Sequence, residues 1–238
     1  MNTKKNIQII LTFIVAFITF SCSSDSSTDN VSLKAKATLN PAAKNSSLAQ
    51  KNNAIITITS FIINIKEIEF DMKDDDLENE NLHSEIELQG PFELDLSSGN
   101  VAIDITSVDL PIAVYDKIQF KLHKSVNELS DMFGKSIQIK GDINGIPFVF
   151  WHDIEEEVEV DYVNSTIDIV VNGATEIATI NFDLSAIFGA ASTVDFSGVT
   201  DGNGNGIIEI NPNNDDGNAA FADFLKNLLE EHSDLDED

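Results

Sequence analysis

The chain has 238 residues, 42% of them hydrophobic, enough to bury a core in one large domain or two small ones. Its 14 basic residues are all lysine and stand against 41 Asp and Glu, a formal charge of −27. So acidic a surface repels phosphate backbones and excludes nucleic acid as a partner. Without an arginine fork it is equally unsuited to anionic substrates, whereas divalent cations are concentrated around it.

The first 21 residues have the three parts of an export signal: Lys4 and Lys5, an apolar run over 9–20, and a small residue, Ser21, before Cys22. A run of about a dozen residues covers only about 18 Å as a helix, short of a hydrocarbon core of roughly 30 Å. Cys22 is the only cysteine in the chain, and an odd thiol in an exported protein has no internal disulfide partner. The segment ending Ser21-Cys22 resembles the lipobox of bacterial lipoproteins, with Thr19 where Leu is commonest. That resemblance implies an acylated Cys22, carrying a palmitate-type lipid, as the first residue of the mature chain. More than one acyl chain holds a protein stably at a membrane. Beyond Ser21 the chain keeps 12 Lys against the same 41 acids, a balance of −29. Ser23, where the inner-membrane retention signal has Asp, favours the outer membrane, with periplasmic and surface-exposed placements both open.

Residues 22–30 read as a flexible polar tether. From Val31 onward the pattern is that of short strands. Residues 31–37 alternate, and 39–53 read as a loop. Residues 54–72 carry Ile56 and Ile58 on one parity, Phe61, Ile63 and Ile65 on the other, then Ile68 and Phe70 back on the first. Two phase changes in one run require a turn or bulges. The run 71–80 holds six acids in ten residues and reads as a solvated loop. Further strands are expected at 85–88, 92–96, 101–105, 115–123, 136–142, 146–152, 158–163, 166–171, 176–184 and 206–210. Gly90-Pro91 and Asn144-Gly145 serve as turn signals between them. Residues 218–232 change period: Phe221, Phe224, Leu225, Leu228 and Leu229 make one helical stripe behind a candidate N-cap, Asn218. Together these predict an all-β fold, an antiparallel β-sandwich of immunoglobulin-like or transthyretin-like type spanning 31–232. One C-terminal amphipathic α-helix closes it, and 233–238 form a frayed acidic tail.

The segments Asn64-Ile-Lys-Glu-Ile-Glu-Phe70, Gly90-Pro-Phe-Glu-Leu-Asp-Leu96, 110–122 and Gly206-Ile-Ile-Glu-Ile210 resemble a group of Bacteroidota lipoproteins with one β-sandwich domain of unknown function. The resemblance implies a lipid-anchored binding or scaffold module, and no chemistry.

One constellation carries a mechanism. Asp201-Gly-Asn-Gly-Asn-Gly-Ile-Ile-Glu209 looks like the calcium loop of EF-hand and dockerin modules. Asp201, Asn203, Asn205 and Glu209 supply side-chain oxygens, Ile207 its carbonyl, and Gly206 the sharp turn. Pro212 stands where those loops have a bidentate Glu, so a further carboxylate has to come from Asp215 or Asp216. Two charged ligands predict weak calcium binding, and a bare Gly/Asn turn is the alternative. The acids of 153–161 suggest paired carboxylates for glycoside hydrolysis, but Glu155, Glu157, Glu159 and Asp161 alternate with Val158 and Val160 as on a half-solvated strand. His83, His123, His152 and His232 are scattered and read as surface or edge residues, with His152, between Trp151 and Asp153, the one to locate. Trp151, Phe148 and Phe150 could offer a sugar-stacking platform, but the Phe148/Phe150 alternation reads as core first. The expectation is a non-catalytic envelope lipoprotein serving a protein or glycan partner, with a weak structural calcium site. The competing classes are a carbohydrate-active enzyme and a calcium-dependent adhesin.

Overall fold

The structure, a computed structural model, describes residues 27–39, 54–73, 85–160, 169–172 and 176–236. The fold is all-β, 53% strand against 11% helix, and its strands form two sheets. In chain order they are β1 (Thr28–Thr38), β2 (Ile56–Met72), β3 (Glu85–Asp95), β4 (Ile103–Pro111), β5 (Val114–Leu122), β6 (Ile137–Ile143), β7 (Ile146–His152), β8 (Glu157–Val160), β9 (Ile169–Val170), β10 (Glu176–Asp183), β11 (Ile208–Ile210) and β12 (Ser233–Leu235). Among the described residues two helices interrupt them, α1 (Leu184–Phe188) and α2 (Ala219–Glu231).

The smaller sheet runs β12-β10-β1-β4, and its inner face is the period-2 pattern of β1: Val31, Leu33, Ala35 and Ala37 are all buried. The larger sheet is built around β2. Phe182 of β10 joins the two layers by setting its ring against Phe61 of β2 at 5.5 Å and Phe120 of β5 at 5.7 Å, both edge-on. Each sheet also contains one parallel pair, β1 with β10 and β7 with β11, so the pairing is not antiparallel throughout.

β2 is one continuous strand of 17 residues. Its register shifts between Ile58 and Ser60 and again between Ile65 and Glu67. These bulges sit at the two phase changes, and they keep Phe61, Ile63, Ile65, Ile68 and Phe70 all facing the core. Gly90-Pro91 does not form a turn: it lies inside β3, opposite the second bulge, where the ladder skips Lys66. The break in register leaves no ladder bond for proline to miss. A side chain at Gly90 would meet the Ile65 carbonyl at 2.7 Å, so glycine is required by close approach. Asn144-Gly145 makes the expected tight hairpin, with both φ positive.

β5 and β6 lie end to end along the same edge of β2, with Asn64 at the gap. Asn64 N donates to the Ser136 carbonyl (2.8 Å), its carbonyl accepts from His123 N (3.1 Å), and its Nδ2 donates to the His123 carbonyl (2.7 Å). Residues 124–135 leave through that gap as a compact loop. Mutual backbone bonds of Ser125 with Gly134 and Lys135 close it. The Ser125 and Ser130 hydroxyls donate to Glu93 and pin it to β3.

The C-terminal segment departs from expectation in two ways. The helix buries Ala222, Leu225 and Leu229, while Phe224 stands 43% exposed, so the stripe is rotated from the one read in the sequence. Phe221 is held by Phe196, whose ring lies 5.1 Å away, in a run of rings from Phe224 through Phe188 of α1 to Phe148. Residues 233–235 are not frayed: Ser233 and Leu235 turn inward and β12 pairs with β10. At the other end, Thr28–Asn30 belong to β1 and pair with β4, so the tether is shorter than 22–30. Cys22 and the segment read as an export signal lie outside the described residues.

Candidate functional site

Residues 201–218 wind into a polar loop between the core and α2, and Asp201, Asn203 and Asn205 each bond backbone a few positions away. Asp201 accepts from three successive N–H groups, Gly204 (2.7 Å) and Asn205 (3.1 Å) on Oδ1 and Gly206 (2.8 Å) on Oδ2. Asn203 Oδ1 accepts from Asn205 N (3.0 Å), and Asn205 Oδ1 from Ile207 N (2.8 Å). Gly206, at φ 89°, turns the chain into β11. The Glu209 carboxylate accepts both carboxamides, Asn203 Nδ2 at 2.7 Å and Asn205 Nδ2 at 3.0 Å. The structure therefore brings Asp201, Asn203, Asn205, Ile207 and Glu209 into one turn.

Two residues that sequence reasoning undervalued hold that turn to the fold. Asp216 is buried and bonds the loop twice, accepting from Asn203 N (3.0 Å) and Glu209 N (2.6 Å). Asn218 has no side-chain capping bond to α2. Its Nδ2 instead donates to the Thr200 and Glu209 carbonyls, both at 2.9 Å. The helix start is served by Asn214, whose Oδ1 accepts from Ala219 N at 3.0 Å.

For calcium, this donor set has the right chemistry and an incomplete count. Calcium takes about six to eight oxygens, and the turn offers five residues. Neither acid expected to complete it is free, because Asp216 holds backbone and Asp215 accepts from Asn211 Nδ2 (3.0 Å). Asn203 and Asn205 also present N–H to Glu209, so each carboxamide has to turn over to present oxygen to an ion. Asn211 Oδ1 is buried and has no hydrogen-bond partner. The residues fit a weak, largely hydrated ion, and water has to supply the remaining ligands.

The other candidates are dispersed. On β8, Glu157 and Glu159 are exposed and Val158 and Val160 buried, as the alternation predicts, while Asp161 lies outside the described residues. Glu155 contacts His123 Nδ1 (2.6 Å) and Glu156 pairs with Lys226 (2.5 Å), so these two acids face separate partners. Phe148 and Phe150 are core. His152 is not a surface residue: it is 7% exposed, and β7 turns it inward beneath α2. Its Nδ1 accepts from Asp153 N (3.0 Å) and its Nε2 lies 3.2 Å from Asp223 Oδ1, so both ring nitrogens are taken up by neighbouring groups of the fold. His83 lies outside the described residues.

Two features had no sequence signal. A cavity of about 330 Å³ lies between the 124–135 loop and the β2 bulge, with Asn64, Lys66, Pro91, Glu93, His123 and Lys124 on its walls. On the outer face of the large sheet, Glu67, Glu69 and Glu87 come together because β3 places Glu87 directly opposite Glu69. The hydrogen bond to Glu67, with burial and the neighbouring carboxylates adding to it, pushes Glu69 up to about 7; the same bond pulls Glu67 down.

The native state therefore holds a proton on Glu69 that the unfolded chain releases above its ordinary value of 4.5. Its contribution is complete below that value and is lost as the pH rises to about 7. Glu69→Gln keeps a donor for Glu67 without titrating. After allowance for solvent screening, wild type should lose up to about 1 kcal/mol relative to Glu69→Gln between about pH 5 and pH 8. Urea unfolding at the two pH values measures it, and parallel pH profiles would rule out the shared proton.

Compared with known proteins, the chain matches no family model, no curated protein and no solved structure. What stands is a class: a two-sheet all-β domain with a polar, preshaped loop beside its C-terminal helix. No helix among the described residues is long and apolar enough to cross a membrane.

Proposed function

We propose that the chain is a non-catalytic, lipid-anchored lipoprotein of the outer membrane, a binding or accessory module whose 201–209 loop takes calcium as a structural ion. The anchor reading rests on the segment before Cys22 and the lipobox it resembles. The calcium reading rests on one observation above all: Asp201 already gathers three consecutive N–H groups, so the turn that places Asn203, Asn205 and Glu209 around it is formed without an ion. The ion then adds charge compensation to a loop whose acids have no lysine partner among the described residues.

Purified domain should melt higher in millimolar calcium than in chelator, by a few degrees, as expected for a ligand in about tenfold excess over a weak site. Asp201→Asn should abolish the difference. Equal melting of wild type in calcium and chelator sinks the calcium reading. For the anchor, the full chain should fractionate with membranes and Cys22→Ala should become soluble; a membrane-bound Cys22→Ala protein removes it.

A further inference from the structure

The two ends of the sandwich differ in what they carry. At one end β1 begins, β2 finishes and the β4–β5 turn crosses between sheets. Ile112 N donates to the Ser27 carbonyl at 3.0 Å, and Val171 N to the Ala113 carbonyl at 3.0 Å, so this turn ties the chain's entry point to β9. Ile112 and Val170 are 43% and 45% exposed there. At the other end are the Asn144-Gly145 hairpin, Ile55 and the 201–207 turn leading into β11, with Ile55, Ile146 and Ile207 exposed by 67%, 45% and 38%. Both ends thus show apolar side chains, and exposure alone does not choose between them.

The length of the tether does. From Cys22 to Ser27 is five residues, at most about 17 Å fully extended. β2 runs from one end to the other over 17 residues, a contour of about 55 Å at roughly 3.3 Å per residue. An anchor of that reach holds the Ile112 end at the bilayer and cannot bring the far end to it while the domain stands upright. Resting Ile112 and Val170 among headgroups removes their apolar surface from water. The far end has no comparable constraint.

We infer that the tip bearing Ile112 and Val170 rests against the lipid headgroups, and that the 201–209 loop is presented at the opposite end, about 50 Å outward. This rests on the acylated Cys22 of the proposed function. The lipid surface it fits is a zwitterionic one, because a chain at −29 beyond Ser21 is repelled by anionic headgroups.

Acylation consumes the thiol of Cys22, so one introduced cysteine is the only labelling site in the mature chain. Full-length protein carrying Ile112→Cys or Val170→Cys, and Ile55→Cys or Ile146→Cys for the far end, is labelled with a small fluorophore and reconstituted into phosphatidylethanolamine-rich vesicles containing brominated lipid. All four positions are exposed, and two at each end guard against one that misfolds. Labels at 112 and 170 should lose emission to the brominated lipid, and labels at 55 and 146 should keep theirs. Quenching at 55 and 146, or at none of the four, with one label per chain and an acylated Cys22 by mass spectrometry, overturns the orientation alone. Two labels per chain and an unmodified Cys22 overturn the anchor, and the orientation with it.

Discussion

Phe182→Ala is expected to lower the stability of the domain by about 3–5 kcal/mol, as full truncation of a core aromatic does. Phe182 is 4% exposed, and its ring meets the edges or faces of Phe61 and Phe120. Removing it takes away the contact through which β10 of one sheet grips β2 and β5 of the other. The surrounding strands are hydrogen-bonded on both sides, so they cannot close over the void, which puts the loss in the upper part of the usual range. Domains have about 5–15 kcal/mol in total, so the variant should retain little margin. Urea unfolding followed by tryptophan fluorescence should show the midpoint displaced with an unchanged slope. A loss below about 1 kcal/mol would mean that the layers are held elsewhere.

Asp216→Ala should cost about 2–4 kcal/mol, because it leaves the half-buried Asn203 and Glu209 N–H bonds without the buried carboxylate that accepts both. Asp216→Asn keeps one acceptor of the two, and about half of the loss is expected. The effect reaches further than stability. Asn203 and Glu209 are two of the loop's oxygen donors, and Asp216 sets the backbone of both. Asp216→Ala should therefore also remove any melting response to calcium, although the Asp216 carboxylate faces the backbone. If the calcium response survives, the loop holds its shape through Asp201 alone.

Several elements could be read before the fold was seen. The phase changes in 54–72 located both bulges of β2, since keeping Phe61, Ile63, Ile65, Ile68 and Phe70 on one side demands an extra residue at each break. Asn144-Gly145 specified its hairpin through two positive φ angles. The loop at 201–209 was recognisable because short oxygen side chains at alternate positions bond the backbone locally. Gly90-Pro91 misled, because the same dipeptide that turns a chain also fits a strand beside a bulge. α1 gave no periodic signal over its five residues, and Asp183 caps it only once the strand before it has ended.

Partner choice was not legible. Alternation in β1 says that one face is buried, and it says the same whether the neighbour runs parallel or antiparallel. β10 was found as β1's parallel neighbour only in three dimensions. The collinear β5 and β6, the cavity beneath the loop between them, the burial of His152 under α2 and the Glu69–Glu87 pairing all follow from such choices. What the sequence determined by itself was local: a short apolar run before the one cysteine, the strand periods, the turns and a polar loop that bends on its own hydrogen bonds. Which strands meet, which acids face one another and at which end of the domain Ser27 enters were decided by tertiary structure. Those contacts join residues far apart in the chain, and no short-range periodicity encodes them.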